Sequence, residues 1–249
     1  MKTKKKISRK APIKQISPGP SRKQIGHKAI FWACGASGAA ALIYEVIWFR
    51  ALTNTIGATT YSFSILVAAF MAGLALGSRW GGIYAGRNKN LFQAFGLLEL
   101  GVAVSGLAIF YAINNLGPLY GRIFYHLRLS FGAFTMAQMV LVFGLLLVPT
   151  TMMGANFPIV VKIWSHIREE VGRNAGDVYA INTWGAVFGS MAAGFLLIPM
   201  VGLQLSHLVA AFINVSVAVL AFALAGSWRA EPVSTSGGRM KQPARQSQL

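Results

Sequence analysis

The chain is short of acidic residues, of cysteine and of charge in general. Only six Asp and Glu stand among 249 residues, against 23 Lys and Arg. Of those six, Glu45, Glu99, Glu169, Glu170, Asp177 and Glu231, two are adjacent in a loop, and no paired nucleophile and base and no metal-ligand spacing appears within the apolar segments. The single cysteine, Cys34, excludes a disulfide framework within one chain and a thiolate metal site. His27, His126, His166 and His207 fall in separate connections or near segment ends, so no metal site is inferred. No motif calls for a cofactor. Charged residues make up 12% of the chain, where a soluble domain carries about a quarter.

In their place is hydrophobic sequence, 55% of all residues. Six apolar segments, at roughly 29–52, 58–80, 92–114, 133–157, 178–200 and 204–226, are each long enough to cross ~30 Å of hydrocarbon as a helix. The expected fold is therefore all-α, a polytopic bundle of six transmembrane helices occupying 29–226. The flanks, 1–28 and 227–249, are expected to be a disordered basic tail and a flexible tail. Together these segments leave no room for a separate soluble domain of ~100 residues.

The net charge of +17 is arranged as a topology signal. Ten of the basic residues precede the first segment, and Pro12, Pro18 and Pro20 interrupt them. With the N-terminus inside, 20 Lys and Arg lie on the inner side and three, Arg50, Arg122 and Arg128, lie outside. Six spans return the C-terminus to the cytoplasm as well. The expected location is the cell's inner or plasma membrane, with the lipid bilayer as first partner. The basic tail lacks the aromatic and groove-reading pattern of a nucleic-acid binder, and none is expected. It is also no cleavable leader, because 28 polar and basic residues precede an apolar run too long for an h-region.

Three local features refine the bundle. Gly73, Gly77 and Gly81, and again Gly185 and Gly189, recur at four-residue spacing, which lets helix backbones approach closely in lipid. That makes the second and fifth segments the central packing helices. Pro149 and Pro158 bracket Thr150, Thr151 and Asn156, and predict a kink or a locally unwound stretch. Finally, the connection 115–132 interleaves aromatic and basic residues, as a helix lying in the outer interface would, or an ordinary loop.

Several stretches resemble one family: SGAAALIYEVIWFRAL (37–52), AAFMAGLALGSRWGG (68–82), LLELGVA (97–103), PTTMMGANFPIVV (149–161) and GDVYAINTWGAVFGSMAAGFLLIPMVGL (176–203). Together they are similar to the membrane domain of the fused spermidine synthase-like proteins, over roughly residues 30–226. In that family a helical membrane domain precedes a cytoplasmic aminopropyltransferase domain. The resemblance implies a soluble aminopropyltransferase-like partner unit with a glycine-rich loop for decarboxylated S-adenosylmethionine. In the sequence as given no βαβ unit follows the sixth segment, and Gly237-Gly238 stands in a tail without flanking strand or helix. The chain is thus expected to anchor or serve such a partner, and not to be an enzyme alone.

Chemistry inside the membrane rests on few residues. Glu45 and Glu99 are the acidic residues well inside segments, and an ionisable group there costs at least ~2.5 kcal/mol unless it faces the bundle interior and finds a partner. Tyr44, Asn156 and Asn182 join them as candidates for an intramembrane polar or cation site. Arg50, Asp177, Thr183 and Trp184 are further candidates. Arg50 lies about 140° around the helix from Glu45, so the two cannot pair on their own helix. Asp177 reads first as a charge at the start of the fifth helix. Trp184 differs from the other tryptophans, which mark helix ends, and either lines the interior or packs.

Two readings of the carboxylates stay open. They serve a cation or proton, or they fix helix register through hydrogen bonds. The first reading suits a carrier of polyamine or another organic cation. The Gly73–Gly86 stretch is similar to the glycine- and basic-rich loop of major facilitator transporters, whose half-unit has six helices. A homo-oligomer would then supply the second half.

Overall fold

The computed structural model describes residues 22–56, 60–88, 90–115, 130–165 and 171–229, together with 117, 118, 121, 122 and 125. All regular structure among the described residues is helical. The helices are α1 (Arg22–Ile56), α2 (Thr60–Arg87), α3 (Leu91–Asn114), α4 (Phe131–Ser165), α5 (Val171–Ala192) and α6 (Ile198–Arg229), with a wider π turn, Ala193–Leu197, joining α5 to α6. Five helical stretches among the described residues are long and apolar enough to span a bilayer; the fifth, Gly172–Gly226, holds 55 residues. The outward faces are apolar too. Phe195, Met200 and Phe212 are more than 70% exposed, which suits contact with lipid tails rather than water.

The 55-residue stretch is not one rod. At Gly202 the backbone takes φ 78° and ψ 175°, a conformation open in practice to glycine alone, and the helix breaks there. Just before it, the π turn relieves the crowding of Pro199, whose ring and missing N–H disturb a regular α-turn. The two sides of the break run in opposite directions. Gly185 packs on Gly35 and Gly189 on Ala39, so α5 runs parallel to α1. His207 meets Tyr44 while Leu224 meets Gly26, so α6 runs antiparallel to it.

The same logic orients the rest. Gly73, Gly77 and Gly81 face Thr150, Thr151 and Ala155 in turn, making α2 parallel to α4. Gly96 packs against Ala218 and Phe222 while Phe110 stacks on His207, making α3 and α6 antiparallel. Glu99 with Asn156 and Gly101 with Met152 make α3 antiparallel to α4. Helices α1, α3 and α5 therefore point one way, and α2, α4 and α6 the other. The closest interfaces are α2 on α4 and α1 on α5, as the glycine spacing leads one to expect. A Cβ at Gly77, Gly185 or Gly189 would overlap a backbone oxygen of the facing helix.

Some sequence expectations change. Helix α1 begins at Arg22, seven residues before the expected start at 29, because Arg22, Lys23 and Gln24 are good helix formers and Pro20 lies behind them. The stretch between Pro149 and Pro158 is neither unwound nor broken: α4 runs through both prolines. Pro158 has no N–H for the Gly154 carbonyl four residues back, and Ser78 of α2 donates to that oxygen instead, at 3.2 Å. Of the connection 115–132, residues Gly117, Pro118, Gly121, Arg122 and Tyr125 are helical and exposed, and most of the others lie outside the described residues. The tails 1–21 and 230–249 lie outside them as well.

Candidate functional site

Glu99 is the most deeply placed charge-bearing group of the bundle, with no exposed surface. It projects from the middle of α3 into the junction with α1 and α4. Its Oε1 accepts two hydrogen bonds, from Ser37 Oγ at 2.5 Å and from Asn156 Nδ2 at 2.7 Å. Oε2 has no partner among the described residues, and neither has Asn156 Oδ1. Donors therefore converge on one oxygen and leave two acceptors bare. A bare buried acceptor costs about 1–3 kcal/mol, and a charged one more, which makes these two oxygens the least satisfied point of the cluster.

Beside this cluster lies a cavity of about 280 Å³ between α1, α2, α4 and α5. Ser37 and Asn156, the two donors to Glu99, both form part of its wall, with Asn182 opposite. Cys34 Sγ makes a weak 4.0 Å contact to Asn182 Oδ1. Ser78 and Tyr179 line it too, and the remaining wall is apolar, with Phe70, Leu74 and Phe157 among it. A larger cavity of about 670 Å³ opens between α2, α3 and α4. No acidic or basic side chain lines either cavity, and Glu99 is linked to the smaller one only through Ser37 and Asn156 in its wall.

The sequence candidates divide accordingly. Glu99, Asn156 and Asn182 are gathered at the small cavity. Glu45 lies eight residues beyond Ser37, ~12 Å further along α1. It is half-buried and makes no hydrogen bond or ion pair with a described residue. Tyr44 is fully buried and makes no hydrogen bond to Glu99; it is stacked on Trp48 with ring centroids 5.3 Å apart and edge-on to His207 at 4.9 Å. Arg50 and Thr183 are exposed.

Three expectations are corrected here. Trp184 is 60% exposed on the outer face of α5, stacked on Phe188, because residues two apart on a helix do not share a side and Asn182 takes the inner one. Trp48, expected at a membrane boundary, is instead buried inside. Asp177 is not at a helix start: α5 begins at Val171, which puts Asp177 past the first turn, where the helix dipole no longer favours a carboxylate.

Two features escaped the sequence reading. Ser37 was not a candidate, although a serine seven residues before Tyr44 lies on the same side of α1, and that face could have been followed inward. His207 is buried between Tyr44 and Phe110, with ring centroids 4.9 and 4.6 Å away. Nothing near it in sequence marks it as interior.

The helices thus define a multi-pass membrane protein with a polar cluster in its core. The chain is 24% identical over 204 residues to polyamine aminopropyltransferase 2 of Streptomyces coelicolor, a distant homology covering 78% of this chain. It spans about a third of that relative's length, 34%. No family model matches the chain, and no solved structure matches it.

Proposed function

We propose that the chain is a membrane module serving an aminopropyltransferase-like unit at the cytoplasmic face of the inner or plasma membrane, with the helices themselves not performing the transfer. The observation that carries this is the reach of the distant homology, which takes in 78% of this chain but a third of an aminopropyltransferase. The carboxylates support the division of labour. Glu45 and Glu99 are held in separate surroundings rather than paired. Purification in mild detergent from the native membrane tests it. Aminopropyl transfer to a polyamine acceptor should accompany the purified protein, and a preparation that never carries such activity or such a subunit contradicts it.

The module crosses the membrane six times with both ends cytoplasmic. The reversal of direction at Gly202 supports six crossings, since α5 and α6 pass α1 in opposite senses. The excess of Lys and Arg in the connections that would then be internal supports the orientation.

A carrier of organic cations is the second reading, favoured by one observation: a buried carboxylate at the centre of the bundle beside a cavity enclosed by four helices of one chain. On this reading a second copy of the chain is not needed to complete the site. Uptake of labelled spermidine into proteoliposomes, lost in Glu99→Gln, is the expected result. Absence of uptake, or uptake unchanged in Glu99→Gln and Glu45→Gln, contradicts it.

A further inference from the structure

The helix directions hold a regularity. Exchange α1 with α4, α2 with α5 and α3 with α6, and the closest interfaces map onto each other: α1 on α5 becomes α4 on α2, and α1 on α6 becomes α4 on α3. The parallel pairs stay parallel, and each exchanged helix points the opposite way. Gly73, Gly77, Ser78 and Gly82 of α2 have the spacing of Gly185, Gly189, Ser190 and Gly194 in and just after α5. The bundle is two three-helix halves of inverted orientation, and the 280 Å³ cavity lies between them, walled by α1 and α2 of one half and α4 and α5 of the other.

Helices α2 and α3 both pack on α4 but scarcely on each other, as α5 and α6 do on α1. The gap between α2 and α3 is the cleft of about 670 Å³, floored by α4 from Gly144 to Ile159, ~22 Å of helix. It runs along the helices and opens on the outer apolar surface, where Trp80, Leu97 and Val148 of its wall are more than half exposed. The Thr151 hydroxyl in its floor already donates to the Leu147 carbonyl, at 2.6 Å.

One end of the cleft is basic. Leu76, Trp80 and Tyr84 line it at four-residue spacing on α2, and Arg87 follows three residues on, so all four share one side of that helix. Ala155, Ile159 and Lys162 repeat the pattern on α4. Gly81 packs on Ala155 between these parallel helices. Arg87 and Lys162 come six and seven residues past that contact, hence at one level, ~10 Å beyond it. Both are exposed, and neither has an ion-pair partner among the described residues. A helix end favours a cation in its last turn, but not on the side of the cleft in particular. In the other half Pro199 stands to Gly189 as Arg87 stands to Gly77, so the arginine has no counterpart there.

From the cleft and the two cations at its end, we infer that the protein binds one anionic phospholipid here, with an acyl chain along α4 and the phosphate held by Arg87 and Lys162. A phosphate accepts hydrogen bonds from both the guanidinium and the ammonium group. Trp80 and Tyr84 suit the level between chain and headgroup. An apolar helix of a second copy would fill the cleft and make no use of the cations.

The inference needs neither the soluble unit nor carriage across the bilayer. The purified protein in detergent is titrated with phosphatidylglycerol and phosphatidylcholine of the same chains, and bound lipid is counted by native mass spectrometry. One phosphatidylglycerol per chain, held about tenfold more tightly than phosphatidylcholine, is expected. Arg87→Gln with Lys162→Gln should abolish the preference. Gly144→Phe should weaken both lipids about tenfold. A Cβ at Gly144 meets no neighbouring atom, so that side chain fills the cleft without disturbing the packing. No bound lipid, equal binding of the two lipids to the unaltered protein, a preference that survives loss of both cations, or unchanged binding in Gly144→Phe overturns the inference. So does a dimer that Gly144→Phe splits, or displacement of the lipid by soluble glycerol 3-phosphate at equal concentration. Phosphatidylglycerol with a photoreactive chain end, added to the unaltered protein, keeps the test independent of variant folding. Label at 76–84 or 144–159, displaced by excess phosphatidylglycerol, supports the site, and label confined to other segments overturns it.

Discussion

In the first half of the chain α2 offers Gly73, Gly77 and Gly81 to the backbone of α4, and in the second α5 offers Gly185 and Gly189 to the backbone of α1. The packing plan is the same, but the polar chemistry is not. Glu45 and Glu99 belong to the first three helices, while the amides in the cavity wall, Asn156 and Asn182, belong to the last three. Close backbone packing is what an inverted pair can share, because it depends only on small residues at one spacing. Glu99 is held by one neutral donor from each half, Ser37 of α1 and Asn156 of α4.

The comparison can be broken first at the packing. Gly77→Val and Gly189→Val each force a side chain into facing backbone, and each is expected to destabilise by about 3 kcal/mol or more. Thermal unfolding in detergent checks it, and a large loss at one position with none at the other would mean that the halves are not equivalent. The chemistry comes next. Glu99→Leu strands the Ser37 hydroxyl and the Asn156 amide and should cost about 2 kcal/mol by the same assay. Adding Ser37→Ala and Asn156→Leu removes the stranded donors, and the triple variant should recover most of that loss.

The reversal between α5 and α6 is the third point. Gly202→Ala meets no neighbouring atom, so its effect is purely conformational, a loss of about 1–2 kcal/mol from holding alanine at φ 78°. The smallest effect falls on the other carboxylate. Glu45→Gln removes an ionisable group that has no partner among the described residues, and should cost no stability and raise it if anything. A loss as large as that of Glu99→Leu would show that the two carboxylates are alike after all.

How much of this could be read from sequence follows from what lipid does to a hydrophobic pattern. The membrane class, the apolar segments and the glycine-spaced helices were legible because each depends on a short run of residues. Glu99 and Asn156 were legible as candidates because polar groups are rare there. Their pairing was not, and neither were the inward Trp48 and the outward Trp184. In water, polar and apolar faces tell which side of a helix is buried. In a bilayer Phe195 can face lipid and Phe95 the core, 78% and 0% exposed, with no difference in residue type. Proline misled for a related reason. Pro149 and Pro158 suggested a kink or an unwound stretch, but the Gly154 carbonyl that Pro158 leaves free is met by Ser78, 76 positions earlier in the chain. The inverted repeat left only the glycine and serine spacing of α2 and α5 as its trace.

Two inverted halves require three crossings each, so the connection at Gly202 must emerge on the face opposite the α2–α3 connection. With Cys34 replaced by alanine, Gln204→Cys and Asn88→Cys place single thiols at exposed positions beside those two connections. In intact cells a membrane-impermeant maleimide should modify the cysteine at 204 and leave the one at 88 untouched until the membrane is opened. Labelling of both from the same side, or of 88 alone, would contradict the inverted architecture and, with it, the placement of the cavity at a seam between two halves.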